Sequence, residues 1–210
     1  MKPIRTSDLD RAAIYRLLTG LVVPRPIGWI STRSTDGTPN LAPFSFFTVV
    51  GTERPLVGFS VNMTKDRGPK DTLVNVHATG EFVVNFVDAG TLVAMDASSA
   101  EFAPEVNEFE AVGLTAASEN LFVAAPRVAE SPAQLECRHE RTMDFGEYSF
   151  IVGEVLAFHL RDGLCNEAMR VDFQSYQWVG RLTGAMYVHS TPGFIVIAPT
   201  ISDIGERKSG

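Results

Sequence analysis

Pro24-Arg-Pro-Ile-Gly-Trp-Ile-Ser-Thr32, Asp36-Gly37 and Asn40-Leu-Ala-Pro-Phe-Ser-Phe-Phe47 follow one another in this chain. Pro24 and Pro26 hold the backbone extended and lead into a strand over Ile27–Thr32. Asp36-Gly37 is the strongest local hairpin signal, because a tight turn needs residues that tolerate positive φ. The return strand runs from Asn40 to Val50, with a break or bulge expected near Pro43.

Working outward, Pro55–Ser60 is apolar enough for a strand buried on both faces, and Glu81–Phe86 reads the same way. Ala133–Met143 and Tyr148–His159 form a further pair, joined by the tight turn Asp144-Phe-Gly-Glu147 and closed by Arg161-Asp-Gly163. Helical signals are fewer. Asp8–Thr19 repeats apolar residues at Leu9, Ala13, Leu17 and Leu18, with Asp8 as cap and Gly20 as terminator. Gly68-Pro69 turns the chain, and Asp71 or Thr72 caps a helix over about Leu73–Ala78. The stretch Ala89–Gly113 changes to Ala, Ser, Glu and Phe, with helical fragments at Leu92–Ala97, and reads as an excursion outside the sheet. The tail Ile201–Gly210 is polar and expected to fray. The sum is a mainly β (α+β) chain, a β-barrel with peripheral helices, in one domain over 1–210 with its core at about 10–190.

A chain of 210 residues supports one well-buried domain. Its 18 basic against 25 acidic residues, net −7, argue against nucleic acid as a main partner. No apolar run approaches the ~18 residues of a membrane span, and the N-terminus lacks the apolar core of a signal peptide. A cytoplasmic location is expected. Cys137 and Cys165 are too few for a disulfide framework or a zinc site. Within Glu136-Cys-Arg-His-Glu140, alternation puts Cys137 and His139 on one strand face, but with no second pair nearby the expectation is a buried Cys and no metal.

Two short segments carry the chemistry. Lys70-Asp-Thr72 places an ammonium and a hydroxyl at a helix start, where unpaired N–H groups and the positive dipole end bind anions. Asp71 would repel a phosphate, so it is expected to cap the helix or pair with a base. Asn40-Leu-Ala-Pro-Phe-Ser45 has little charge and offers main-chain amides to a flat polar ring. Ring plus phosphate is what flavin mononucleotide, FMN, presents. Taken singly, Lys-Asp-Thr is also an ordinary capped helix, and Trp29, Phe44, Phe46 and Phe47 are ordinary core. Their joint order favours the ligand.

These residues, with Tyr15-Arg-Leu-Leu18, Glu81-Phe-Val-Val-Asn85, Asn107-Glu-Phe-Glu-Ala-Val-Gly-Leu114, Leu135-Glu-Cys137 and Val152-Gly-Glu-Val155, resemble the flavin reductase-like, flavoredoxin-type FMN-binding proteins over about residues 10–190. The resemblance implies a split β-barrel that dimerises with FMN at the subunit interface. Carried onto this sequence, it implies that Asn40, Ala42, Phe44 and Ser45 line the ring, that Ser60, Lys70 and Thr72 hold the phosphate, and that Trp29 packs near the ring. Gly28 stands where the family commonly has Ala. In Gly180-Arg-Leu-Thr-Gly-Ala-Met-Tyr187, Thr183 replaces a Gly and stiffens the loop, so Arg181 is assigned no ligand role.

The function expected is an FMN-dependent oxidoreductase moving hydride or electrons between NAD(P)H and flavin or a downstream acceptor. No catalytic side chain is required, because the cofactor carries the chemistry. With no Gly-x-Gly-x-x-Gly segment, NAD(P)H is expected to bind transiently on the flavin face. The alternatives are an FMN-binding electron carrier without direct NAD(P)H oxidation, and a barrel for another planar ligand such as haem or pyridoxal phosphate.

Overall fold

The computed structural model describes residues 3–64, 68–173 and 175–189. After a 3-10 turn at Thr6–Asp8, the helices are α1 (Arg11–Leu21), α2 (Asp71–Thr79), α3 (Leu92–Ala97) and α4 (Glu108–Ala111). The strands are β1 (Arg25–Pro26), β2 (Gly28–Arg33), β3 (Pro39–Phe44), β4 (Phe47–Gly51), β5 (Leu56–Asn62), β6 (Glu81–Asn85), β7 (Ala116–Ala117), β8 (Arg127–Val128), β9 (Ala133–Asp144), β10 (Tyr148–Leu160), β11 (Val179–Arg181) and β12 (Tyr187–His189). The tail Ile201–Gly210 lies outside the described residues. No helix among the described residues is long and apolar enough to cross a membrane.

The expected hairpin forms. β2 and β3 pair antiparallel with Gly28 opposite Phe44 and Arg33 opposite Pro39, and Gly37 adopts φ 96° in the turn. The interruption after it falls at Ser45–Phe46 and not at Pro43, which stays in the ladder opposite Trp29. Seven strands run in the order β3-β2-β6-β9-β10-β5-β4. The two edge strands, β3 and β4, are therefore neighbours in the chain. Two residues connect them, so the sheet must curl until its edges nearly meet. The Phe46 carbonyl accepts from Ser60 N–H (2.9 Å), carrying the β4–β5 ladder into that two-residue corner.

The curled sheet encloses Ile30, Phe44, Phe47, Phe59, Phe82, Leu135, Cys137 and Ile151. Phe59 packs against Phe44 and Phe82 with ring centroids 5.2 and 5.4 Å apart. The outer face of the β2–β3 hairpin carries Trp29 and Leu41, covered by Met95 and Phe109 of the Ala89–Gly113 excursion. Three rings lie directly over glycines: Phe47 over Gly28, Phe150 over Gly58 and Phe82 over Gly153. A Cβ on Gly28 would sit 2.7 Å from Phe47 Cδ2. The glycine is thus the space that the Phe47 ring fills.

Two local readings need correction. Asp10, not Asp8, caps α1, its carboxylate accepting from Ala13 N–H (2.6 Å), and the helix runs through Gly20 to Leu21. Its apolar residues Leu17, Leu18 and Leu21 face outward instead of into the core. Glu136, expected on a polar strand face, is completely buried. Its carboxylate accepts from the amides of Leu121 (2.8 Å), Phe122 (2.6 Å) and Val123 (3.2 Å), and His159 Nε2 lies 2.5 Å away. Glu81 Oε1 accepts from Ala124 and Ala125. Two carboxylates thereby strap the loop before β8 onto the sheet. Burial alone would raise the Glu136 carboxyl, but these hydrogen bonds outweigh it and hold the group below the usual carboxylate range.

Gly28→Ala is expected to destabilise the fold by about 1–3 kcal/mol, the range for overpacking, seen as a lower urea midpoint. Adding Phe47→Leu is expected to restore part of the loss. A Gly28→Ala protein with the parental midpoint would mean that Phe47 does not depend on the missing methyl.

Candidate functional site

Lys70 sits at the N-cap of α2 with extended backbone (φ −67°, ψ 149°) and no side-chain cap. Its carbonyl accepts from Leu73 (2.9 Å) and Val74 (3.2 Å) N–H, which leaves the first-turn amides of Asp71 and Thr72 without partners inside the helix. Among the described residues Asp71 neither caps the helix nor pairs with a base, contrary to the sequence expectation; it lines a cleft instead. Thr72 is only 1 % exposed. Asn40 Nδ2 donates to both Thr72 Oγ1 (3.1 Å) and Thr32 Oγ1 (3.1 Å), and Asn75 Nδ2 donates to Thr32 Oγ1 (3.0 Å). This buried amide–hydroxyl network fixes the start of α2 on the β2–β3 hairpin. Thr72 accepts in that network, so its own proton is free for another contact.

The cleft holds about 90 Å³. It runs along the free edge of β3, between the start of α2 and the segment that follows α3. Asn40, Ala42, Lys70 and Thr72, four of the expected ligand residues, meet on its walls, joined by Pro43, Asp71, Ser98 and Glu108. The expectation about main-chain amides needs revision. Leu41 N–H points away from β2 and is accepted by Glu108 Oε2 (3.1 Å). Strand alternation then turns Pro39 and Pro43 outward as well, and neither has an N–H. The cleft edge of β3 therefore presents carbonyl acceptors and no available donor. The same pattern shields an exposed sheet edge from pairing with another chain.

The remaining expected residues lie elsewhere. Trp29 is fully buried, with its indole N–H donating to Ser98 Oγ (2.9 Å), so it has no exposed face on which a ring could stack. Phe44 points into the barrel, with Lys70 Nζ 5.9 Å from its ring centroid. Ser45 is at the corner between β3 and β4, its Oγ 3.4 Å from Arg25 Nε. Ser60 lines a second, larger cleft of about 680 Å³ beneath α1, with Tyr15, Leu18, Phe46 and Tyr148. Arg181 folds back onto the Gly184 carbonyl and the Tyr187 ring. His77 and His139 each lie 2.9 Å from Thr142 Oγ1, away from the cleft. Among the described residues no group of three or more His, Cys, Asp or Glu is placed to hold a metal ion.

Sequence reasoning missed Glu108 as a site residue. Its only signal was Asn107 ahead of Glu108-Phe-Glu-Ala111, a short capped helix in which Asn107 Oδ1 accepts from Phe109 N–H (3.1 Å). Glu108 is 7 % exposed. Burial pushes its carboxyl up to about 7, and the nearby Asp71 carboxylate adds to the rise, against the opposing pull of its own and the Leu41 amides.

Residues 20–180 match the model of the flavin reductase like domain. A curated protein of Aquifex aeolicus is 44 % identical over 86 % of this chain and 92 % of its own length. Among solved structures, nitrilotriacetate monooxygenase component B from Bacillus cereus superposes with a TM-score of 0.89 at 29 % identity, covering 93 % of this chain and 98 % of that one. The 2-nitrobenzoate 2-nitroreductase of Pseudomonas fluorescens gives 0.87 at 32 % identity, with 95 % and 98 % covered.

Because Glu108 keeps its proton longer in the folded than in the unfolded chain, its contribution to stability is complete below the ordinary carboxylate range and is lost as pH rises toward about 7. Glu108→Gln retains an acceptor for Leu41 and cannot ionise. It is expected to flatten the stability profile between pH 5 and 7 in urea titrations and to exceed the parent above that window. Parallel profiles for the two proteins would mean that Glu108 titrates normally.

Proposed function

The chain belongs to the flavin reductase-like family, and from that premise we propose that it is an FMN-dependent oxidoreductase of the flavin reductase type. It takes hydride or electrons from NAD(P)H and passes them through flavin to a downstream acceptor. One observation carries the proposal: a helix start, a lysine, a buried threonine and an acceptor-only strand edge converge on one cleft. The helix start with Lys70 and the Thr72 hydroxyl suits a phosphate monoester. Asn40 fixes the Thr72 rotamer, so the hydroxyl is positioned before any ligand arrives. The carbonyls of the β3 edge suit the ring N–H of a flavin, and Ala42 leaves space beside them.

When bound, the flavin supplies the hydride chemistry, and the protein supplies binding and orientation. A cleft of about 90 Å³ suits a phosphate and falls well short of the ~300 Å³ or more of a complete small-molecule site. The ring is left to the open β3 edge and to whatever covers it. A second copy of the chain is the cover we propose. Leu17, Leu18 and Leu21 on α1, with Phe46, Val49 and Val50 around β4, are exposed apolar surface that an isologous dimer would bury.

Lys70→Ala is expected to weaken FMN binding about ten- to a hundredfold in a fluorescence titration, the value of one charge-assisted contact. Riboflavin, which lacks the phosphate, is expected to bind both proteins alike. Equal FMN affinity would remove Lys70 from the site. Sedimentation equilibrium is expected to give twice the chain mass, and a monomer that retains FMN would rule out a site shared between copies.

A further inference from the structure

Among the described residues, the cleft is lined by more acidic than basic groups. From α2 it receives Lys70 and Asp71, from the segment after α3 it receives Glu101, and from α4 it receives Glu108. The β3 wall contributes the uncharged Asn40, Ala42 and Pro43. Glu110, also on α4, is exposed and accepts from Asn107 Nδ2 (3.0 Å). Among the described residues neither Glu108 nor Lys70 has an ion-pair partner. Glu108 accepts from Leu41 N–H, and the Lys70 ammonium lies over the Phe44 ring. A phosphate seated on the start of α2 would thus share a small cleft, among the described residues, with three carboxyls and one ammonium.

We propose that Glu108 is the proton-holding residue of this phosphate subsite: a phosphate monoester binds beside Lys70 and Thr72 together with a proton taken up on the Glu108 carboxyl. The proposal rests on the flavin reading of the cleft. Of the three carboxyls, Glu108 is the one that accepts the proton, because it alone is buried, while Glu101 is exposed and Asp71 is half-exposed. Burial and Asp71 already bring its carboxyl to about 7, so one further anion keeps it protonated through neutral pH. The protonated carboxyl still accepts the Leu41 N–H through its carbonyl oxygen, so the β3 edge stays shielded. Neither a redox step nor a covalent step is involved; a proton moves from solvent to carboxylate as the phosphate enters. Binding of the phosphate end is thereby coupled to pH, and affinity falls as pH rises past neutrality.

Calorimetric titration of the full chain with FMN near pH 7.5, in PIPES and in Tris, reads the protons taken up per FMN bound. The parent is expected to take up a fraction of a proton more than Glu108→Gln, whose remaining exchange belongs to the phosphate itself. A rise of one unit in the Glu108 carboxyl on FMN binding makes the fall in affinity between pH 6 and 8.5 about tenfold larger in the parent than in the variant. The carboxyl carbon resonance of Glu108 in the parent gives the same answer without a variant, its titration midpoint moving up when FMN is added. Equal proton uptake in parent and variant, or an unmoved midpoint, with Lys70-dependent FMN binding intact, would overturn the role of Glu108 alone. FMN binding that is indifferent to Lys70→Ala would overturn the phosphate subsite and this inference with it.

Discussion

One stretch of chain, residues 39–51, must serve as both edges of a seven-stranded sheet. β3 and β4 are separated only by Ser45 and Phe46, yet five strands lie between them in the sheet. A flat or gently twisted sheet would hold its edges about 28 Å apart at the usual strand spacing of ~4.7 Å, far beyond what two residues span. The sheet must therefore close on itself. The corner at Ser45–Phe46 and the Phe44–Phe59 ring contact, which brings β3 against β5, are where that closure is made. Interior rings then crowd the wall, and Gly28 under Phe47 and Gly153 under Phe82 are positions at which the wall yields to them.

Closure leaves one length of β3 unpaired, and the candidate site lies there. An unpaired strand edge is an aggregation hazard. Here Pro39 and Pro43 lack donors and Glu108 occupies the Leu41 donor, so only acceptors remain. That arrangement suits a ligand with ring N–H groups and would reject one that brings only acceptors. Beside it, α2 presents free amides and Lys70. The two halves of the cleft have complementary preferences: donors on the helix for a phosphate, acceptors on the strand for a ring. Asn40 belongs to both, since it sits on β3 and holds Thr72 of α2.

Much of the fold was legible because its signals are local. Asp36-Gly37 and Asp144-Phe-Gly-Glu147 each specify a turn within a few residues, and the β2–β3 and β9–β10 pairs follow. The helical fragment at Leu92–Ala97 is found where composition placed it. What local pattern does not encode is which side of an element meets the rest of the molecule. The apolar repeat of α1 fits a core-facing helix, but the barrel closes without it and the stripe faces outward. No local pattern marks Glu136 or Glu108 as buried; each is buried because a distant loop or strand supplies amide donors that only folding brings near. Trp29 could not be assigned to core or site until Ser98, 69 residues away, proved to be its partner. Ser60 likewise looked like a phosphate ligand in sequence and lies under α1 in space. The helix start at Lys70 was legible; the acidity of its cleft was not, because it gathers groups from three separate segments.

The central claim is that this cleft holds a flavin reduced directly by a nicotinamide nucleotide. The most direct measurement is anaerobic mixing of the FMN-loaded protein with NADH and with NADPH while following the visible flavin band. Bleaching within seconds by at least one of the two is the predicted result. A protein that keeps its FMN bound and yellow in the presence of both would contradict the account.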